Sequence, residues 1–79
     1  MIQAYIDAAM ERAHYEMFGD ETIYGEIAEC PGVFANEATL EQCRRVLEEV
    51  LEGWILLRLQ EHLELPVIAG ISLQAPVLA

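Results

Sequence analysis

From Thr39 to Leu57 the chain carries a pattern that leaves few folds open. Thr39 is a strong helix N-cap, and Gln42 completes a T-x-x-Q capping box. Behind the cap, Leu40, Cys43, Leu47, Val50, Trp54 and Leu57 recur at alternating three- and four-residue spacing, which places them in one apolar stripe of a helix. Glu41, Arg44, Arg45, Glu48, Glu49 and Glu52 fill the opposite face. Glu41–Arg45, Arg44–Glu48 and Arg45–Glu49 are i,i+4 pairs, each contributing only a few tenths of a kcal/mol. A helix with one apolar stripe needs a second layer to cover it. Past Gly53 the run Trp54–Leu59 holds Arg58 as its one charge, so that end needs more cover than a sheet alone provides.

The covering layer is predicted from residues 15–37. Tyr15 and Met17 flank Glu16, with Phe18 next; Gly19-Asp20-Glu21-Thr22 is a turn cluster; Ile23, Gly25 and Ile27 then alternate with Tyr24 and Glu26. Two aromatic-bearing runs around a Gly-Asp turn make an antiparallel hairpin. Gly25 inside a strand marks a bulge or a close approach by another element. Cys30-Pro31-Gly32 ends the second strand in a sharp turn, and Val33–Glu37 is a third strand. Upstream, Ile2, Tyr5, Ile6, Ala9, Met10 and Ala13 sit at helical spacing, giving a first helix from Ile2 to about Arg12. Downstream, Pro66 breaks the long helix, and Val67–Leu73 suits a short last strand or a docked tail. The expected architecture is α+β: one domain over residues 1–79 in the order α-β-β-β-α-β. Its two layers are an antiparallel meander sheet and helices on one face of it.

The other sheet face then carries Tyr24, Phe34 or Phe18 with little to cover them. A chain of 79 residues has a marginal core, yet 54% of its residues are hydrophobic. Together these predict a homo-oligomer, most simply a two-fold dimer with further pairing to a tetramer possible. Tyr24, Phe34, Trp54 and Ile55 are the expected self-association residues, although Trp54 alone reads equally well as core.

The formal charge is −10, with fourteen acidic residues against four basic ones. That field repels phosphate backbones, so no direct nucleic-acid partner is expected. It suits a protein with a basic patch, or serves solubility; charge alone does not choose between the two. Glu26, Glu29 and Glu37, nearest the Pro-Gly turn, are the candidate partner-binding acids. Cys30 and Cys43 form neither a disulfide framework nor a CxxC pair. The N-terminus has no signal-peptide pattern, and no apolar run reaches the roughly 20 residues of a membrane span, so a cytoplasmic protein with reduced thiols is expected.

Catalytic chemistry finds little to stand on. His14 and His62 with the two cysteines match no zinc spacing. Glu48/Glu49 and Asp20/Glu21 sit where exposed charge is expected, and acid–base work needs a cleft that shifts a pKa. There is no phosphate-binding glycine loop and no nucleophile elbow. No catalytic residue, metal site or cofactor is assigned, and the chain is not expected to be an enzyme.

The stretch YGEIAECPGVFANEATLEQCRRVLEEVL, Tyr24 to Leu51, resembles the N-terminal domain of the HicB family of antitoxins. That family's pattern is Tyr-x-Ala-x-Val-Pro-x-Leu-Pro-Gly-Cys followed by a Gly-x-Thr-x-Glu-Glu-Ala helix start. Ile23 takes its Tyr position, Gly25 its Ala and Ile27 its Val; Pro31 and Gly32 match the turn, and Thr39 and Glu41 match the helix start. Ala28, Cys30, Glu37, Gln42 and Cys43 depart from it. The resemblance covers about Tyr5 to Leu73, as in a short solitary subgroup. It implies a partial ribonuclease-H-like domain without that enzyme's metal carboxylates. It further implies an antitoxin-like module that neutralises a HicA-type mRNA-cleaving toxin by covering its basic RNA-binding surface. A solitary homo-oligomeric domain with another binding role is the alternative. Many family members add a C-terminal DNA-binding domain; none is expected within this sequence, which ends at Ala79.

Overall fold

The computed structural model describes residues 2–73. Helix α1 spans Ile2–Glu11, strands β1, β2 and β3 span His14–Met17, Ile23–Glu26 and Phe34–Glu37, and helix α2 spans Leu40–Gln60. The strands form an antiparallel meander in the order β1-β2-β3, so the architecture is α+β as the sequence pattern requires.

Turn chemistry sets the register. Between β1 and β2, the Asp20 carboxylate accepts from the Thr22 amide at 3.1 Å and from its hydroxyl at 2.6 Å, while the Phe18 amide donates to the Thr22 carbonyl. Between β2 and β3, the Val33 amide donates back to the Cys30 carbonyl at 3.0 Å, with Pro31 and Gly32 in the middle. Gly32 has φ +94°, the positive value that the second central position of a type II turn demands. The resulting pairing runs without a bulge, and Tyr15, Gly25 and Ala35 lie in one row across the sheet.

That row faces α2. Gly25 and Ala35 are buried, and the Cys43 thiol lies against them, donating weakly to the Ala35 carbonyl at 3.5 Å. Gly25 is therefore a point of close approach: a methyl group there would sit 2.8 Å from the Tyr15 ring and 3.1 Å from Cys43 Sγ. The buried row of α2 is Cys43, Leu47, Leu51 and Ile55, a straight i,i+4 series. This corrects the three-four stripe, since Leu40 and Leu57 are more than half exposed and Val50 and Trp54 are half-buried. An i,i+4 row winds about 40° round a helix per step. The row thus passes from the sheet, at Cys43 and Leu47, toward α1, whose buried face is Tyr5, Ile6 and Ala9.

Thr39 caps α2 as expected, its hydroxyl accepting from the Gln42 amide at 3.1 Å; the return bond from the Gln42 side chain is not made. Of the three expected i,i+4 pairs, Glu41–Arg45 forms, at 3.8 Å and exposed. The helix closes in a Schellman motif. The Leu63 amide reaches the Arg58 carbonyl at 2.8 Å, the His62 amide reaches Leu59, and His62 takes φ +56°.

The expected last strand over Val67–Leu73 is not a strand. Ile68 and Ile71 pair with each other across Ala69 and Gly70, both at positive φ, in the pattern of a type I′ turn. Those bonds are used within the tail itself, so it docks on the core and adds nothing to the sheet. Ile68 and Leu73 are buried, and the Tyr5 hydroxyl donates to the Pro66 carbonyl at 2.7 Å, tying the tail to α1. No helix among the described residues is long and apolar enough to cross a membrane.

Candidate interaction surface

Because side chains alternate across a sheet, burying Tyr15, Gly25 and Ala35 turns the neighbouring positions outward. The outer face carries His14, Glu16, Tyr24, Glu26, Phe34 and Asn36, with Phe18 just beyond β1. No helix packs on it among the described residues. Phe18, Tyr24 and Phe34 form a diagonal aromatic ladder, with ring centroids 5.3 Å and then 6.1 Å apart and interplanar angles of 9° and 25°. Phe18 and Phe34 are 44% and 55% exposed, values high enough to make the ladder a surface feature and not part of the core.

Two carboxylates flank one side of the ladder. Glu16 lies in the row of Tyr24, and Glu26 in the row of Phe34. The Tyr24 hydroxyl donates to the Glu26 carboxylate at 3.2 Å, and Glu16 pairs with His14 at 3.3 Å. Desolvation of the phenol, and then the neighbouring Glu26 and Glu16 charges, push the Tyr24 pKa up. Opposite them, Asn36 donates to the Thr22 hydroxyl and to the Ile23 carbonyl, pinning β3 to β2.

The three acids singled out in the sequence do not converge. Glu26 is on the outer face. Glu29 lies in the β2–β3 connection, where Arg12 pairs with it at 2.9 Å and holds its carboxyl below the usual range. Glu37 lies at the far end of the sheet, on the same side as Ala35, and raises the Cys43 thiol that burial already pushes up. Its row lies three residues along the strand from that of Glu26, about 10 Å.

The self-association candidates separate in the same way. Tyr24 and Phe34 are ladder residues. Trp54 is half-buried, with the Arg58 guanidinium 4.9 Å from its ring centroid; Arg58 also donates to the Glu64 carbonyl at 2.8 Å. Ile55 is fully buried within the chain, at the floor of the groove between the helices, which corrects its assignment to a contact. The exposed apolar residues of that helix end are its neighbours Leu56 and Leu57. The sequence placed them in the widened stripe without resolving which of the three faces inward. Phe18, which the sequence already placed on this face, stacks on Tyr24 there, and Glu16 is a further surface residue that the strand alternation identifies once the register is known.

A groove of about 230 Å³ lies between the helices, lined by Ile2, Gln3, Ile6, Glu52, Ile55 and Leu56. Among the described residues its lining holds one carboxylate and no nucleophile or histidine. Among the described residues no cluster of His, Cys, Asp and Glu has the geometry of a metal site. Both cysteines are free and buried.

Comparison with known proteins places this arrangement in a family. No curated protein matches the chain. Among solved structures, the crystal structure of TTHA0281 from Thermus thermophilus is 35% identical and superposes with a TM-score of 0.89, covering 96% of this chain and 95% of that one. The UPF0150-like family matches residues 4–66, from α1 through the sheet and the whole of α2 to Pro66, and the chain belongs to that family.

Proposed function

We propose that the protein is an antitoxin-like binding module that neutralises a HicA-type mRNA-cleaving toxin by covering its basic RNA-binding surface. The observation that carries this reading is an acid-flanked aromatic sheet face, left uncovered by the described residues, on a chain of formal charge −10. Such a face offers apolar area for affinity and carboxylates for steering a basic partner. The Pro31-Gly32 turn and the Thr39-x-Glu41 helix start, which resemble the HicB pattern, support it: the turn joins β2 to β3, and Thr39 caps α2 just after β3. On this reading the module is not an enzyme: it acts by occlusion, in the cytoplasm where its target cuts mRNA.

The test is an RNA-cleavage assay with a purified HicA-type ribonuclease and increasing amounts of the full chain. Stoichiometric inhibition that weakens as salt is raised is expected. Cleavage unchanged at large molar excess would refute the proposal.

Exposed Leu56 and Leu57 favour a second reading, a solitary homo-oligomer in which α2 ends pair between copies. Light scattering distinguishes it. A Leu56→Glu, Leu57→Glu chain that falls to 8.9 kDa from a larger wild-type mass supports pairing there; a wild-type mass of 8.9 kDa removes it.

A further inference from the structure

The ladder ends on Phe34. One face of this ring stacks on Tyr24, and the residue is 55% open to solvent. Its register partner on β2 is Glu26, so the carboxylate and the ring stand side by side, about 5 Å apart at Cβ. The Tyr24 hydroxyl fixes that carboxylate by donating to Oε2, which leaves Oε1 and the remaining lone pairs free. A ring face beside an oriented carboxylate is the complement of a planar cation: the guanidinium stacks on the ring and gives its N–H fork to the oxygens. An ammonium gains the charge attraction but lacks both the planar stack and the fork.

A second copy of this chain is the poorer occupant. Apposed outer faces would bring Glu16 and Glu26 of one copy against those of the other. Among the described residues of this face His14 is the one group able to carry positive charge, and Glu16 already holds it. The carboxylates equally disfavour a nucleic-acid backbone.

We infer that the outer sheet face is a docking site for an arginine of a basic protein partner, its guanidinium stacked on Phe34 and paired with the Glu26 carboxylate. This rests on the proposed function in taking the partner to be a basic protein, and it assigns the contact to Phe34 and Glu26 in place of the Glu26, Glu29 and Glu37 set. Glu29 is already neutralised by Arg12, and Glu37 is on the wrong side of the sheet.

The experiment titrates isotope-labelled full chain with a short Gly-Arg-Gly repeat peptide and with its lysine counterpart, reading amide shifts by NMR and affinity by calorimetry. Shifts centred on Tyr24, Glu26 and Phe34 are expected, with the arginine peptide bound about tenfold tighter than the lysine one. Phe34→Leu and Glu26→Gln, each with wild-type circular dichroism, should weaken the arginine peptide about tenfold, whereas Glu37→Gln should not. Equal affinity for the two peptides, shifts elsewhere, or no effect of either substitution overturns the inference. So does a fall in solution mass on Phe34→Leu, which would make this face a contact between copies. No toxin enters this titration, so arginine docking can stand where toxin neutralisation fails, and the reverse.

Discussion

Gly25→Ala tests the central contact of the fold. The added methyl would lie 2.8 Å from Tyr15 Cδ1 and Cε1 and 3.1 Å from Cys43 Sγ, all inside van der Waals contact. Overpacking of this kind costs about 1–3 kcal/mol. Against it, alanine recovers roughly 0.5–1 kcal/mol of the backbone entropy that glycine loses in a strand. Tyr15 is half-buried, so its ring is the part that can shift, whereas Cys43 is wholly buried. The net expectation is a loss of about 1–2 kcal/mol, or roughly 5–15 °C in Tm for a chain of this size. Thermal denaturation followed by circular dichroism measures it. Placing the same substitution in a Tyr15→Leu background should recover part of the loss, as a coupling of about 0.5 kcal/mol or more between residues in contact. A Gly25→Ala chain as stable as the wild type, or more so, would refute the close approach of β2 to α2.

Thr39→Ala should cost about 1 kcal/mol by leaving the Gln42 amide without its acceptor, visible as a lower denaturation midpoint. His62→Gly should stabilise by about 1 kcal/mol, because glycine takes the left-handed backbone at φ +56° without strain; an unchanged or lower Tm would argue against the Schellman close. Stability should also fall in alkali. Burial pushes the Cys30 thiol from 9.0 up to about 11 and the Tyr5 phenol from 10.0 up to about 12. Both folded values exceed the unfolded ones, so their contribution is whole below pH 9 and is lost as pH rises, first from 9 to 11 and then from 10 to 12. Cys30→Ala and Tyr5→Phe should each flatten part of that fall; a Tm independent of pH above 9 would refute the burial of both groups.

Much of this fold was legible because local rules set it. The Thr39 cap, the Pro31-Gly32 turn and the strand alternation each depend on residues a few positions apart, and each is found where the sequence puts it. The misplaced features depend on partners far along the chain. The periodicity of α2 permits either Val50 or Leu51, and Trp54 or Ile55, as the inward residue; the i,i+4 row that α1 and the sheet jointly cover chooses Leu51 and Ile55. The β-branched tail reads as a strand, yet Ala69 and Gly70 turn it back on itself. Three acids close to one turn in sequence are divided between the two faces and a loop, because adjacent strand positions point to opposite sides. The ladder depends on register as well. A slip of one residue would turn Tyr24 toward α2 and Gly25 toward solvent. Any larger residue at Gly25 would push against the Tyr15 ring and the Cys43 thiol. The contact that seats α2 on the sheet is thus the one that holds Tyr24, and with it Phe18 and Phe34, on the open face.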